Sequence, residues 1–293
     1  MRKNIPMLDR RYGVQKVLFG FIFVLFLIYA VTLIYPFIWL IMSSLKDFVS
    51  YQLDMAQGRT FQLPEVFMFS NYAEAFKLMK YENTMFIGMF INSLWQAFLS
   101  IAVGTLVSTA FSYTMARFRF PGKEFIYGLV ITVMIMPIMT GSGATFKLYV
   151  DLGLYDNPLL FVATSLGWGS FLYYYAFFKG VSPSYNEAVY IDGGGEWTAF
   201  LRVVLPQAVS IMFALGVMSF IGKWNDYQSI LLYMPSYPTV ASGMYLVKNT
   251  LLRSGKDPIY FSGIVISIIP VLVLFICFSN LIMQNMALGG LKG

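Results

Sequence analysis

Six long apolar runs, each without a charged residue, dominate this chain. They occupy residues 17–45, 83–116, 125–146, 157–178, 203–222 and 258–291. The hydrocarbon core of a bilayer is about 30 Å thick, and a helix that rises ~1.5 Å per residue crosses it with roughly 20 residues. Every run reaches that length. The pattern therefore predicts an all-α integral membrane protein with six transmembrane helices.

A seventh uncharged stretch, residues 227–247, is not predicted to span the membrane. It contains Pro235 and Pro238, with Ser236 between them. Proline removes a backbone hydrogen-bond donor, and in lipid the backbone groups that it frees need another partner. We therefore assign this stretch to an extracytoplasmic loop or a partly re-entrant segment.

Basic residues at the ends of the runs predict the orientation of the chain. Lys and Arg concentrate before the first run and after the second, at Arg2, Lys3, Arg10, Arg11, Lys16, Arg117, Arg119 and Lys123. Cytoplasmic loops are enriched in these residues, so both termini are expected in the cytoplasm. We predict a cytoplasmic N-terminal segment (1–16), a membrane domain (17–291) and a cytoplasmic tail (287–293). Residues 46–82 and 223–257 are then expected to face outward.

The composition supports a membrane location and excludes other functions. Of 293 residues, 58% are hydrophobic and 12% are charged, and the mean hydropathy is +0.68. A soluble domain carries roughly a quarter charged residues. The net charge of +6 is thinly spread and no basic cluster alternates with aromatic residues, so nucleic acid is not an expected partner. There is no His, and the one cysteine, Cys277, lies in an apolar run where a thiol is expected to be inert packing.

The runs also lack the groups that would drive uphill transport within this chain. No Asp, Glu, Lys or Arg interrupts them, so a relay of charged side chains is not expected, although a sodium site built from carbonyls and hydroxyls stays open. Three Gly-Lys pairs occur, but the Ser or Thr that follows Lys in a P-loop is replaced by Glu124, Trp224 and Asp257. No HExxH, paired-carboxylate or Cys/His pattern is present. We therefore expect no enzyme activity, no metal and no cofactor in this chain, and energy for uphill transport would have to come from another subunit.

A stripe of small residues recurs every fourth position in the second run. Its members are Ser100, Gly104, Ser108, Ser112 and Ala116. Small residues at this spacing line one side of a helix and let another helix approach closely. The stripe predicts ordinary helix packing inside the bundle, and the alternative is a contact that changes as the bundle opens and closes.

The segment 182–206 interrupts the apolar pattern with charges and glycines. Pro183 and the S-x-x-E sequence from Ser184 to Glu187 predict a helix start with a capping box. Asp192 and Gly193 predict the end of that helix, because glycine readily adopts the positive φ that a helix end often needs. Two further glycines allow a sharp reversal.

A second short helix is expected after this reversal. Its apolar residues, Trp197, Phe200, Leu201 and Val204, have the i, i+3, i+4, i+7 spacing of one helix face. Pro206 is expected to end this helix or to kink it into the fifth span. The segment is therefore predicted to form a helix-turn-helix at the cytoplasmic face, with a glycine corner where the backbone of a partner could come close.

The spacing within this segment resembles the cytoplasmic loop of ABC importer permeases, which reads EAA, three residues, G, nine residues, I, any residue, LP. The matching residues are Glu187, Ala188, Val189, Gly193, Val203, Leu205 and Pro206. Two of them depart conservatively from the family pattern, because Val189 replaces the second alanine and Val203 replaces isoleucine.

Further motifs resemble the carbohydrate-uptake branch of this family, and within it subunits like the G-type subunit of the maltose importer. The similar stretches are IDG at 191–193, YTMARFRFPGK at 113–123, WNDY at 224–227 and the terminal GGLKG. They follow the order of the branch's IDG, AYxxARFxFxGK, WN-acid-aromatic and GAVKG motifs. The resemblance extends from Leu45 to Gly293, nearly the whole chain.

The resemblance implies the ABC importer permease fold and a set of partners. It implies a second homologous permease subunit, two cytoplasmic ATPase subunits that bind ATP, an extracytoplasmic sugar-binding protein and the lipid of a bacterial-type inner or plasma membrane. It implies a permease for a sugar or oligosaccharide, with oligosaccharides from plant or algal polysaccharides as one guess.

It also implies roles for three groups of residues. The loop residues Glu187, Ala188, Asp192, Gly193, Leu205 and Pro206 would couple to the ATPase, although Asp192 could instead brace the corner only. The tail residues Gly289, Gly290 and Lys292 would lie along the ATPase dimer. Lys248, Asn249, Arg253 and Lys256, within an outward loop at 247–256, would contact the binding protein. Residues that contact the transported solute are not indicated.

Three other functions stay open. An ABC permease for an amino acid, phosphate or polyamine would share the loop motif, but the WNDY and GGLKG stretches favour sugar. An ion-coupled secondary carrier would move its solute without ATP. A membrane-embedded enzyme is disfavoured because the chain offers no candidate catalytic groups.

Overall fold

The structure, a computed structural model, describes residues 6–136, 142–165 and 169–288, with side-chain surroundings over 15–136, 143–165 and 169–279. The chain divides into two compact units. The first unit contains Met1–Ala75 and Asn249–Ile266, and the second contains Phe76–Lys248 and Ser267–Gly293.

The described residues are mostly helical. In chain order the helices are α1 (Pro6–Ser44), α2 (Phe48–Ala56), α3 (Ser70–Leu78), α4 (Phe86–Arg117), α5 (Lys123–Ile135), α6 (Ser142–Asp151), α7 (Leu159–Ser165), α8 (Phe171–Gly180), α9 (Ser184–Ile191), α10 (Glu196–Thr198), α11 (Leu205–Asn225), α12 (Gln228–Tyr233), α13 (Val240–Arg253) and α14 (Asp257–Leu288). A π-helical stretch, Ala199–Val204, joins α10 to α11.

Four helices among the described residues are long and apolar enough to cross a membrane. They are Gln15–Ser44, Phe86–Arg117, Glu196–Asn225 and Asp257–Ser279, and they coincide with the first, second, fifth and sixth predicted spans. The uncharged stretch 227–247 does not form a long helix, because it holds α12 and the beginning of α13.

The third and fourth predicted spans each contain two shorter helices. The run 125–146 includes most of α5 and the start of α6, and the run 157–178 includes α7 and most of α8. Residues 137–141, between α5 and α6, and residues 166–168, between α7 and α8, lie outside the described part of the chain.

One small feature departs from the all-α expectation. Two-residue strands β1 (Lys80–Tyr81) and β2 (Thr84–Met85) pair antiparallel directly before α4, with Lys80 opposite Met85. Glu82 turns the chain between them with a positive φ of 49°. The helix therefore begins at Phe86, slightly later than the predicted start of the second span at residue 83.

Helix α4 is the centre of the second unit and packs against α7, α8 and α11. The small-residue stripe lies on this contact side. Ser112 is fully buried and its hydroxyl donates to the Phe171 carbonyl over 3.1 Å. A Cβ atom at Gly104 would lie 3.3 Å from the Ser165 carbonyl oxygen. The stripe therefore allows close helix packing, as predicted.

Aromatic and aliphatic side chains fill the core of the second unit. One cluster comprises Tyr113, Tyr174, Phe178, Phe200, Val204 and Ala208, and a second comprises Leu160, Phe161, Ile230 and Met234. Within the WNDY stretch, buried Trp224 stacks on Phe220 and donates from Nε1 to the Ser267 carbonyl over 3.0 Å. The motif residues Trp224 and Asp226 thus have structural roles, since Asp226 also accepts from the Ser229 N–H at the start of α12.

A buried ion pair organises the first unit at the end of α1. Lys46 Nζ lies 2.6 Å from Asp54 Oδ2, and their side chains are only 1% and 12% exposed. Asn71 donates its side-chain amide to the carbonyls of Ser44 and Lys46, and Ser262 donates to the Ser44 carbonyl. These bonds join α1, α2, α3 and α14 within the unit.

The single cysteine lies in a different environment from the expected one. Cys277 is exposed on α14 rather than buried in packing. Apolar residues along α14 and α1 are likewise exposed, which is typical of helices whose surroundings are lipid or another subunit.

Candidate functional site

The candidate site is the helical hairpin at 182–206, built from α9, a glycine corner, α10 and the π-helical stretch. Helix α9 begins at Ser184, and Pro183 occupies the position before it without a side-chain cap. The predicted capping box between Ser184 and Glu187 is therefore wrong. The Ser184 N–H instead lies 3.4 Å from the Ser182 hydroxyl, and the Glu187 N–H bonds to the Pro183 carbonyl.

The corner after α9 is a Schellman motif. The Gly193 N–H donates to the Tyr190 carbonyl over 3.1 Å, and the Gly194 N–H donates to the Val189 carbonyl over 2.8 Å. Gly193 has a φ of +80°, the left-handed conformation that this motif requires. The predicted helix end at Asp192–Gly193 is confirmed, and the chain reverses there because glycine has no Cβ to resist a positive φ.

The close approach at this corner occurs at Gly194 rather than at Gly193. A Cβ atom at Gly193 would meet nothing within 4 Å. A Cβ atom at Gly194 would lie 2.5 Å from Val189 Cγ1 and 3.1 Å from the Val189 carbonyl oxygen. Val189 is the residue that replaces alanine in the loop pattern, and its Cγ1 methyl group occupies the space that a side chain at Gly194 would need.

The return arm of the hairpin differs from the predicted short amphipathic helix. Helical structure continues without a break from Glu196 to Asn225. Phe200 and Val204 are buried, but Trp197 and Leu201 are 74% and 52% exposed. Leu201 lies inside the π-helical stretch, where a turn contains more residues than an α turn and the side-chain directions shift. Trp197 lies before the stretch, in α10, and the π geometry does not explain its exposure.

The π-helical stretch also accommodates the proline. Pro206 lies in the first turn of α11, directly after the stretch, and the Leu205 N–H reaches back to the Phe200 carbonyl. Within a regular α-helix proline would collide with the carbonyl four residues earlier. Pro206 therefore neither ends the helix nor separates it from the fifth span, while Leu205 packs against the Tyr113 cluster.

Two contacts anchor the hairpin to α4. The buried Asn186 amide donates to the Tyr113 hydroxyl over 2.8 Å, and Arg117 donates to the Val181 carbonyl. Tyr113 also packs on the ring of Phe200, with centroids 4.6 Å apart. These anchoring residues had no predicted role, although Tyr113 and Arg117 belong to the YTMARFRFPGK stretch that carries the family resemblance.

The outer surface of the hairpin combines apolar and acidic groups. We call it the loop face, and its exposed residues are Tyr185, Glu187, Ala188, Ile191, Asp192 and Trp197. Ile191 is 86% exposed. Exposed apolar residues grouped on an anchored element mark a surface that contacts another molecule. Four predicted coupling residues, Glu187, Ala188, Asp192 and Gly193, lie on this hairpin surface, whereas Ile191 and Trp197 were not predicted to contact a partner.

An acid–phenol contact ties the two arms of the hairpin together. The Glu196 carboxylate accepts the hydrogen bond of the Tyr190 hydroxyl and so raises the pKa of that phenol. A phenol whose pKa is raised above 10.0 stays neutral at physiological pH and keeps donating this bond.

The residues predicted to contact a binding protein lie mostly on a helix. Lys248, Asn249 and Arg253 are exposed on α13, which continues to Arg253, so most of the predicted loop at 247–256 is helical. Gly255, with a φ of +69°, forms the turn that follows, and a Cβ there would lie 2.6 Å from the Phe48 ring. Lys256 is half-buried after this turn.

The predicted tail contacts, Gly289, Gly290 and Lys292, lie outside the described residues. Of the three predicted groups of site residues, the structure therefore places the coupling residues on one hairpin and the outward group along the end of α13.

Comparison of the fold finds a solved structure that is similar over nearly the whole chain. A crystal structure of a bacterial ABC transporter that imports the acidic polysaccharide alginate matches with a TM-score of 0.74. The match covers 95% of this chain and 99% of that chain at 20% sequence identity. At this identity the likeness shows the fold, which is that of an ABC importer permease.

Comparison of the sequence finds relatives of similar length. The diacetylchitobiose uptake system permease protein NgcG of Streptomyces coelicolor is 26% identical and covers 90% of this chain and 86% of the relative. The sulfoquinovosyl glycerol transport system permease protein SmoH of Agrobacterium fabrum is 25% identical and covers 89% of each chain. The arabinooligosaccharides transport system permease protein AraQ of Bacillus subtilis is 23% identical over 92% of this chain and 94% of the relative.

A family profile accounts for most of the chain. It is described as the binding-protein-dependent transport system inner membrane component and matches residues 81–287. The matched region begins at the small β-hairpin before α4, includes the helical hairpin with its glycine corner, and ends in α14. The loop spacing, the fold and this match agree: the chain belongs to the family of inner membrane components of binding-protein-dependent transport systems.

Proposed function

We propose that this protein is a transmembrane permease subunit of an ATP-driven ABC importer for a sugar or oligosaccharide. The observation that carries the proposal is the helical hairpin at 182–206, which is fixed to α4 by the Asn186–Tyr113 bond and exposes the loop face. A rigid, anchored hairpin can transmit a displacement from a partner into the helix to which it is attached. The six predicted crossings, with both termini in the cytoplasm of an inner or plasma membrane, belong to this proposal.

The loop face fits a cytoplasmic ATPase subunit as its partner. Ile191 and Trp197 supply apolar contacts, and Glu187 and Asp192 supply carboxylates for basic or N–H groups of the partner. Leu205 and Pro206 lie at the base of the hairpin, where α11 begins. Two such ATPase subunits and a second homologous permease complete the proposed complex, and the tail residues Gly289, Gly290 and Lys292 lie along the ATPase dimer.

The names of the relatives support a carbohydrate as the solute. They concern diacetylchitobiose, arabinooligosaccharides and sulfoquinovosyl glycerol. An extracytoplasmic binding protein would deliver the sugar, and the exposed Lys248, Asn249 and Arg253 on α13 are the proposed contacts, with Lys256 beside them. ATP binds only to the ATPase subunits in this proposal.

The coupling role is tested by changing the backbone preference at Gly193. In proteoliposomes that contain the complete importer, Gly193→Val is expected to abolish ATP-driven uptake, because a β-branched residue strongly disfavours the positive φ. ATP hydrolysis is then expected to continue without transport. Gly193→Asn is the matched control, since asparagine tolerates this conformation and open space surrounds the position.

Uptake assays with the same complex distinguish an ATP-driven importer from a secondary carrier. Uptake should require ATP and the binding protein, and it should be insensitive to ionophores. Uptake driven by an ion gradient without ATP would identify a secondary carrier instead. If ATP hydrolysis drove uptake equally well in Gly193→Val and Gly193→Asn, the hairpin would have no coupling role. If the ATPase still co-purified unchanged after deletion of residues 289–293, the proposed tail contact would be wrong.

A further inference from the structure

Two cavities with mixed polar and apolar linings adjoin each other inside the second unit, away from the hairpin. The first has a volume of about 240 Å³ and lies between α4, α7, α8 and α11. The second, also about 240 Å³, lies towards α6 and α12. Thr164 and Lys223 line both cavities. The two cavities are therefore separate spaces that share part of their lining beside α4.

Hydroxyl groups dominate the lining of the first cavity. They include those of Ser100, Thr105, Ser108, Ser170, Tyr174 and Ser219. Polar residues inside a membrane bundle are costly unless they have a partner, and they commonly mark the path of a polar solute. Part of the small-residue stripe thus lines a space as well as packing helices.

Two buried polar atoms at these cavities have no hydrogen-bond partner among the described residues. They are the Ser100 hydroxyl oxygen and Gln96 Oε1, and their residues are 5% and 3% exposed. Ser100 lines the first cavity and Gln96 the second. The other end of the Gln96 amide is held, because its Nε2 donates to the Tyr237 carbonyl over 3.0 Å. An unmet acceptor beside a cavity is costly until a ligand or water donates to it.

The charged group shared by the cavities is also available to a ligand. Lys223, in the last turn of α11, makes no ion pair within the part of the chain that the structure describes. Asp226 lines the second cavity, but one of its carboxylate oxygens already caps α12 through the Ser229 N–H. Lys223 therefore offers N–H donors where Ser100 and Gln96 offer acceptors.

An aromatic wall completes the second cavity. Tyr149 and Tyr233 line it with ring centroids 4.9 Å apart in an edge-to-face arrangement. A sugar ring has hydroxyls at its edge and C–H groups on its face, so it pairs with both kinds of surface. Each cavity is smaller than the roughly 300–1,000 Å³ of a complete small-molecule site, which suits a half-site that a second subunit closes.

We propose that these cavities are the sugar-contacting half-site of this subunit, in which Ser100, Gln96 and Lys223 bind the hydroxyls of one sugar ring and Tyr149 and Tyr233 contact its C–H face. The proposal rests on the sugar-importer function above and assigns to it the solute contacts that the sequence did not indicate. The ligand is a polyhydroxylated ring, and the acceptors and donors named here are the groups that recognise it.

The test is protection of an introduced thiol by sugar. In the complete importer, with cysteine-free partner subunits and Cys277→Ser, the change Ser100→Cys places the only thiol in the first cavity. The labelling probe is methanethiosulfonate-ethylammonium. The protecting probe is chosen from a panel of oligosaccharides of two to four units as the one that the purified binding protein binds. Labelling is expected to slow at least threefold with this sugar and to be unaffected by betaine at equal concentration.

Matched variants distinguish protection by bound sugar from limited access of the reagent to a thiol buried by helix packing. Ser112→Cys is the control in the same helix, because Ser112 is buried, bonds to the Phe171 carbonyl and does not line either cavity. Its labelling should be slow and independent of sugar. Adding Lys223→Met to Ser100→Cys should raise the sugar concentration for half-protection about tenfold, the effect of one charged hydrogen bond.

Separate outcomes bear on this inference and on the proposed function. If the importer with the native Ser100 transports no sugar, or its binding protein binds none, the proposed function fails and this inference with it. If that importer transports sugar while the Ser100→Cys thiol reacts equally fast with and without it, only the half-site is overturned. Equal protection in the presence of betaine would also overturn it, because the cavity would then be a water-filled space without preference for sugar.

Discussion

At the residue scale, two of the three consecutive glycines at the hairpin corner are required, each for a different physical reason. Gly193 is needed for its positive φ, and open space surrounds it. Gly194 is needed because Val189 leaves no room for a Cβ atom. Gly195 has an extended backbone with nothing within 4 Å, so neither reason applies. The family pattern names only the first of these positions.

The crowding between Gly194 and Val189 gives a prediction. Gly194→Ala should destabilise the hairpin by roughly 1–3 kcal/mol, the usual cost of overpacking, because the new methyl group would overlap Val189 Cγ1. Val189→Ala removes that methyl group, so the double variant should recover most of the loss. A double-mutant cycle measures this coupling from thermal unfolding in detergent and from retention of the ATPase on purification.

The control for this cycle is Gly195→Ala, which should have only a small effect because its Cβ atom would meet open space. An additive cycle, in which Val189→Ala fails to rescue Gly194→Ala, would show that the two residues do not compete for the same volume.

At the element scale, polar bonds fix the junction where α1 ends. The Lys46–Asp54 pair joins the end of α1 to α2, and Asp47 begins α2 by accepting from the Val49 and Ser50 N–H groups. The Ser50 contacts hold the pKa of Asp47 below its ordinary value of 3.8. At pH values above 3.8 the ionised Asp47 carboxylate therefore stabilises the start of α2. This stabilisation is lost as the pH falls through the lowered pKa of Asp47.

Breaking the buried pair from one side is expected to be costly. Lys46→Met should destabilise the first unit by roughly 3–5 kcal/mol, because it leaves the Asp54 carboxylate buried without its partner. Lys46→Met with Asp54→Leu should be much closer to the unchanged protein, since an apolar pair leaves no buried charge. Thermal unfolding in detergent measures both effects.

An exposed ion pair in the same chain serves as the control for this buried pair. It joins Lys147 and Asp151, whose side chains are 77% and 57% exposed. Lys147→Met should change stability little, because water already screens both charges. If Lys46→Met were as mild as Lys147→Met, the pair at the end of α1 would not hold the unit together.

At the scale of the whole molecule, the distribution of charges along the chain predicts the orientation in the membrane. Helix α1 is exposed from residue 15 to residue 38 and predominantly apolar from residue 17, as expected for a helix in lipid. Its basic flank, with Lys16 at the boundary, favours a cytoplasmic N-terminus. The hairpin and α13 are then expected on opposite sides of the membrane.

This orientation is tested by thiol labelling in intact cells. Single cysteines replace Lys16, Glu124 or Asn249 in a chain that carries Cys277→Ser. A charged methanethiosulfonate reagent, which does not cross the membrane, should label Asn249→Cys in intact cells. It should label Lys16→Cys and Glu124→Cys only after permeabilisation. Labelling of Glu124→Cys in intact cells, or protection of Asn249→Cys there, would contradict the orientation.

The sequence predicted the corner of the hairpin better than its two arms. The end of α9 followed from Asp192–Gly193, because a glycine requirement is local and visible in the residue order. The capping box at Ser184 failed because a competing bond to Pro183 fixed the first turn. The predicted common helix face of the return arm failed at Leu201, which lies in the π-helical stretch, since a π turn is not visible in apolar spacing. The exposure of Trp197 in α10 has no such explanation.

The amino-acid sequence alone determined that this protein is apolar enough for a membrane and how its basic residues are distributed. It also determined where the glycine corner lies and which family the chain resembles. Tertiary structure alone decided that Tyr113 holds Asn186, that Gly194 is the crowded glycine, and that Ser100, Gln96 and Lys223 meet at adjoining cavities. The physical reason is distance along the chain. Turn and hydropathy signals arise from neighbouring residues, whereas these contacts arise only when separate helices pack together.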